Sequence, residues 1–177
     1  MPRHISILFP GQGSQYIGML DDLPTELVES FRGLALEALS FDIIDLIKNG
    51  NEEDLNKTSI TQPAILLTSF IYFKHLQNSI NFKADLMCGH SLGEYSALVA
   101  SNSITLGDAL KLVHQRGLLM ERSLKGSMYA ILNTDIDIID NFCMKVRNEN
   151  MIVSTANINS PKQIVIAGEN KAVEMVV

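Results

Sequence analysis

The sequence predicts an α/β protein in two parts, a larger helix-rich core over residues 1–125 and a smaller α+β unit over residues 126–177. Three observations carry the prediction. "HISILF" at 4–9 is a short β-rich run that stops at the glycine loop "PGQGSQ". "ADLMCGHS" is a second such run, 84–88, that reaches Gly89 and passes straight into helical spacing over 92–101, giving strand, sharp turn, helix. After Gly126 the pattern changes to short strands and one amphipathic helix, in the order βαββα.

The elements follow in order along the chain. From Thr25 the apolar residues Leu27, Val28, Phe31, Leu34, Ala35, Ala38 and Leu39 fall on one helical face, and residues 42–49 repeat the pattern until Gly50 stops it. "TQPAILLTSFIYFKHLQNS" offers Thr61 as a cap and Pro63 near the first turn, followed by a nearly continuous apolar run suited to a buried helix. "TLGDALKLVHQRGLLMERSL" opens with Thr105 and Asp108 in capping-box spacing and continues as an amphipathic helix to about Ser123. In the second part, "SMYAIL" is a strand and "TDIDIIDNFCMKVRNEN" a helix capped by Thr134. "IVSTANI" and "QIVIAG" are strands joined through "NSPK", and "ENKAVEMVV" begins a helix. This order is a ferredoxin-like βαββαβ unit without its last strand, so the chain is expected to end in mid-domain.

Composition narrows the function classes. With 46% hydrophobic and 19% charged residues the 177-residue chain can bury a core. Its net charge of -6 disfavours nucleic acid and anionic membrane as partners. No run reaches the roughly 18 apolar residues of a membrane span, and the N-terminus lacks the pattern of a signal peptide. Cys88 and Cys143 have no second thiol or histidine at ligand spacing, which reads as two core residues in a reduced, cytoplasmic protein.

The chemistry concentrates at "GHSLG". Gly89, Ser91 and Gly93 form the G-x-S-x-G pattern in which small flanking residues let the chain turn sharply and leave a serine hydroxyl exposed at a helix N-terminus. That helix end supplies backbone N–H groups and partial positive charge, both favourable to an oxyanion. A helix N-cap serine between turn glycines would look the same over these five residues. The strand before it and the helix after it favour the nucleophile.

Five stretches in order, "FPGQGSQ" at 9–15, "LNKTSITQPAILL" at 55–67, "GHSLGEYSALVA" at 89–100, "QRGLLM" at 115–120 and "NINSPKQIVIAG" at 157–168, resemble the malonyl-CoA:acyl-carrier-protein transacylases of bacterial fatty-acid biosynthesis. The resemblance implies an α/β-hydrolase-like parallel-sheet core with a small ferredoxin-like subdomain, both incomplete at the C-terminus because chains of that family are longer. It implies that Ser91 accepts malonyl from coenzyme A and passes it to the phosphopantetheine thiol of acyl carrier protein. Gln12 and Leu92 would form the oxyanion hole through their backbone N–H groups, and Arg116 would hold the malonyl carboxylate. His90, Gly89 and Gly93 would support the turn. No metal and no cofactor is implied, the coenzyme A thioester being a substrate. Arginine suits its assigned task, since a guanidinium presents a planar fork to a carboxylate and stays charged when desolvated. The bland alternative is a surface arginine near a helix C-terminus.

A serine nucleophile needs a general base within hydrogen-bond reach. The four histidines are His4, His75, His90 and His114. His90 adjoins Ser91, but successive side chains at a strand end point to opposite sides. His4 opens a strand and His75 lies in an apolar helix. His114 points about 200° away from Arg116 around its helix. In the family the resemblance points to, the catalytic histidine lies in a stretch beyond residue 177. The 177 residues alone are therefore expected to be a very poor transacylase, with exposed sheet edges and apolar helix faces that invite a complementing C-terminal chain. Two other classes remain open: a serine hydrolase on the same elbow, and an inactive or split remnant that only binds acyl-CoA or a partner chain.

Overall fold

A computed structural model describes residues 4–80, 82–123 and 125–177. The chain divides into two compact units, Met1–Arg122 and Ser123–Val177.

In the first unit the elements are β1 (Ser6–Phe9), α1 (Thr25–Ser30), α2 (Arg32–Leu39), α3 (Ile43–Asn49), α4 (Glu52–Leu55), α5 (Thr58–Ser79), β2 (Leu86–Gly89), α6 (Leu92–Ala100) and α7 (Leu106–Glu121). The strands β1 and β2 pair in parallel, Ser6 opposite Leu86 and Phe9 opposite Gly89. Parallel pairing puts both C-terminal ends at the same edge, so the loop after Phe9 and the turn after Gly89 emerge side by side. Such an edge is where open α/β sheets place their ligands.

The core of this unit gathers on α5, which is buried on every side from Pro63 to Thr68. Leu66, Leu67 and Ile71 of α5 meet Ile43, Ile44, Ile47, Leu55 and Leu110 of the surrounding helices, all essentially without solvent contact. Each such side chain contributes about 1.5–3 kcal/mol of burial. Apolar residues also remain in solvent beside the sheet: Leu8 on β1 is 76% exposed and Leu86 on β2 is 57% exposed.

The second unit holds β3 (Ser127–Leu132), α8 (Ile136–Arg147), β4 (Val153–Ser160), β5 (Gln163–Gly168) and α9 (Asn170–Val176). Its sheet is antiparallel in the order β3-β5-β4, the arrangement expected of the first three strands of a ferredoxin-like unit. Ile139, Cys143 and Val146 of α8 and Ala172 and Val173 of α9 cover Ile164 and Ile166 of β5. The molecule is thus an α/β protein, with a parallel sheet in one unit and an antiparallel sheet in the other.

Several local expectations are corrected. The helix expected from Thr25 breaks at Phe31, whose ring turns edge-on to Phe70 with centroids 5.7 Å apart; after the break Ala35 and Leu39 face the core and Leu34 faces solvent. The short α4 has no counterpart in the apolar periodicity because it is acidic and capped by Asn51, which accepts from the Asp54 N–H at 2.8 Å. Thr61 is not a cap: α5 begins three residues earlier, and Thr61 Oγ1 donates to the Leu55 carbonyl at 2.5 Å. Asp135 rather than Thr134 occupies the N-cap of α8. Cys143 is buried, whereas Cys88 is only half-buried. The capping box of α7 forms as expected, with Thr105 Oγ1 accepting from the Asp108 N–H at 3.1 Å.

Candidate active site

The turn between β2 and α6 is as tight as the glycines suggest. A Cβ on Gly89 would run into the backbone of Gly93, and a Cβ on Gly93 would run into the carbonyl of Phe9. Between them Ser91 adopts φ 54° and ψ -106°, a backbone conformation that non-glycine residues avoid at a cost of about 1–3 kcal/mol. The strain is held by the ends of the turn, where the Gly93 N–H donates to the His90 carbonyl at 2.9 Å and the Glu94 N–H to the Ser91 carbonyl at 3.2 Å. Leu92 then starts α6, with its side chain buried and its N–H at the helix N-terminus.

The glycine loop after β1 lies against this turn. A Cβ on Gly11 would sit 2.9 Å from the His90 carbonyl oxygen and 3.6 Å from its Nδ1, so His90 faces the loop. Gln12, next in the loop, is exposed, and its Nε2 donates to Thr58 Oγ1 at 3.3 Å, which ties the loop to the start of α5. The loop is braced again by Gln15, whose Oε1 accepts from the Gly13 N–H at 2.9 Å while its Nε2 donates to Asn56.

Arg116 reaches the same place from α7. Its Nη2 donates to Ser91 Oγ at 3.0 Å and its Nη1 to Gln62 Oε1 at 2.8 Å, while the guanidinium stands 5.8 Å from the ring centre of Tyr95 on α6. That contact is within cation–π range. The arginine arrives there because α7 runs unusually close to the first turn of α5. Gly117 makes the approach possible: a Cβ there would lie 2.5 Å from the Ser59 Cα.

Pro63 and His114 explain how the two helices are pinned. Proline has no N–H to give the carbonyl four residues back, so the Ser59 carbonyl loses its helical donor. His114 Nδ1 donates to that carbonyl at 2.8 Å. A carbonyl only accepts, which places the proton on Nδ1. At the other backbone group of the same residue, the Ser59 N–H donates to Glu121 Oε1 at 2.7 Å, and this bond chiefly holds the Glu121 carboxyl below its ordinary pKa against the opposing effect of desolvation. His114 is thereby committed to the helix contact. Its neighbour is Phe41, 5.5 Å between ring centres.

Of the residues expected from the sequence, Ser91, Arg116, Gly89, Gly93 and Leu92 come together at one turn, and Gln12 and His90 lie beside it. His4 is exposed next to Asp85, and His75 is half-buried along α5. Sequence reasoning missed Gln62, which is fully buried and bonded to Arg116, and Tyr95. A glutamine inside the apolar run of "TQPAILL" was the available signal for the first.

Residues 7–177 match the acyl transferase domain family. The chain belongs to this family. It is 45% identical, over 179 residues, to a malonyl CoA-acyl carrier protein transacylase of Haemophilus influenzae, a match that covers 97% of this chain and 57% of that protein. A Staphylococcus aureus protein of the same name is 39% identical, with 97% and 56% covered. Among solved structures, an acyl carrier protein S-malonyltransferase from Vibrio cholerae superposes with a TM-score of 0.86 at 41% identity over 98% of this chain and 58% of its own. A malonyl-transacylase in complex with a type II polyketide acyl carrier protein gives 0.82 at 44% identity, over 98% and 58%. The chain thus spans a little over half the length of the relatives it matches. Among the described residues no helix is long and apolar enough to cross a membrane.

Proposed function

We propose that Ser91 is the acyl acceptor of a malonyl transferase. Its Oγ attacks the thioester carbonyl of malonyl-CoA and the coenzyme A thiol leaves with the serine's proton. In the reverse sense the phosphopantetheine thiol of acyl carrier protein takes the malonyl group and returns the proton to Oγ. The names of the relatives support these substrates, and we read the setting as fatty-acid biosynthesis in the cytoplasm.

The observation that carries the reading is the guanidinium 3.0 Å from the serine hydroxyl. An esterase elbow has no use for a cation there. An acyl group whose own carboxylate lies one methylene from the carbonyl under attack brings its negative charge to that spot. The N–H groups of Leu92 and Gln12 supply the oxyanion hole, each such donor contributing about 3–4 kcal/mol to the transition state. Gly89 and Gly93 permit the turn, and His90 supports the Gln12 loop. No cofactor enters beyond the thioester substrate.

The general base is not supplied by the four histidines, one of which is committed to the Ser59 carbonyl. Residues 1–125 are read as the first part of the acyltransferase core and 126–177 as an incomplete ferredoxin-like subdomain. Loss of the histidine of a Ser-His pair costs about 10⁶ in turnover. Malonyl transfer from malonyl-CoA to acyl carrier protein, followed by mass spectrometry of the carrier, tests this. The 177-residue chain is expected near 10⁻⁵ s⁻¹, against about 10 s⁻¹ for an ordinary enzyme. A rate within about tenfold of the ordinary value sinks the claim that the base is missing.

A further inference from the structure

Gln62 has the features of a residue placed for a task rather than for packing. It is wholly buried on α5, yet both ends of its amide are used: Oε1 accepts from Arg116 Nη1 at 2.8 Å and Nε2 donates to Met120 Sδ at 3.2 Å. Its orientation is not arbitrary. A guanidinium only donates and a thioether only accepts, so the amide fits in one sense and not when flipped. Arg116 and Met120 stand one turn apart on α7, so the glutamine bridges two successive turns of the helix that carries the arginine.

The consequence falls on the other guanidinium nitrogen. With Nη1 held by Gln62 and the plane resting toward Tyr95, Nη2 is aimed at Ser91 Oγ. Each terminal nitrogen carries two N–H groups; with one of those on Nη1 given to Gln62, a carboxylate arriving beside Ser91 competes with the hydroxyl for Nη2. The exchange leaves the serine's lone pair without its donor at the moment the acyl carbon is beside it.

We propose that Gln62 is a positioning residue that sets the preference for carboxylate-bearing acyl groups, acting through Arg116. The proposal rests on the acyl-transfer reading above. Gln62 holds a neutral acceptor against the guanidinium, which orients the arginine without cancelling its charge. A glutamate in that place would orient it equally and compete with the substrate's carboxylate.

The test is the equilibrium affinity of the 177-residue chain for malonyl-CoA and for acetyl-CoA, measured by calorimetry within an hour, before slow acylation matters. The unaltered chain is expected to favour malonyl-CoA by about tenfold or more. Gln62→Leu should bring the two ligands within about twofold by weakening malonyl-CoA alone. Gln62→Glu, which keeps the acceptor oxygen, should also weaken malonyl-CoA and leave acetyl-CoA unchanged; it decides the matter if Gln62→Leu does not fold. A preference kept in both variants overturns the role of Gln62, as does a parallel loss of both ligands, which is what a purely structural residue would give. Absence of any preference in the unaltered chain overturns the acyl-transfer reading and this proposal with it.

Discussion

Arg116 donates through Nη2 to Ser91 Oγ at 3.0 Å, joining a residue in the middle of a long helix to the strained turn of a separate strand-helix junction. The bond makes the arginine part of the Ser91 hydroxyl's surroundings before any substrate is present. Replacing it should therefore act on the acyl group that carries charge. A hydrogen bond to a charged partner contributes about 1.5–3 kcal/mol. Arg116→Ala should reduce acylation by malonyl-CoA roughly 10- to 100-fold and leave the slower acylation by acetyl-CoA within about threefold, as read by intact mass at fixed times. Equal losses for both thioesters would show that the arginine only supports the turn.

The link from Pro63 to His114 gives a prediction in stability. His114→Ala leaves the Ser59 carbonyl without a donor in a half-buried place, at a cost of about 1–3 kcal/mol. Pro63→Ala restores the helical N–H that this carbonyl lacks. In urea denaturation the double variant should recover at least half of what His114→Ala loses, a coupling that a double-mutant cycle isolates. Strictly additive effects would mean that the two residues do not share the Ser59 carbonyl.

Glu121 makes the same contact sensitive to acid. Its carboxyl is lowered chiefly by the hydrogen bond from the Ser59 backbone N–H, with His114 and Lys57 adding smaller effects and desolvation opposing. Because its value in the folded chain lies below the unfolded one, its stabilisation is complete above the ordinary glutamate value of about 4.3 and is lost as pH falls through the folded value. Tm of Glu121→Gln should lie below that of the unaltered chain at neutral pH, and the gap should close in the acid range below about pH 4. A gap of constant size from neutral to strongly acid solution would contradict the assignment.

Much of this site is legible in the sequence, for physical reasons that differ by residue. The elbow is legible because close backbone approach admits only glycine at 89 and 93, and the structure brings Gly93 against the Phe9 carbonyl as that logic demands. Thr105 and Asp108 are legible because a capping box is a local pattern. Thr61 misleads because its hydroxyl has a different partner, the Leu55 carbonyl, and Pro63 sits farther into α5 than a first-turn proline would. Gln62 escapes periodicity altogether, since its value lies in a bond across 54 residues to Arg116. The role of His114 was within reach: a proline inside a helix always leaves a carbonyl four residues earlier, and a half-buried histidine on a neighbouring helix is a natural donor for it.

The central claim, that Ser91 takes the acyl group beside Arg116, is tested most directly by the intact mass of the purified chain after incubation with malonyl-CoA. At about 10⁻⁵ s⁻¹ an incubation of about a day is needed. The account predicts a gain of one malonyl group, absent from Ser91→Ala and much smaller with acetyl-CoA. A folded sample that gains nothing, or one that gains the group equally in Ser91→Ala, would contradict it.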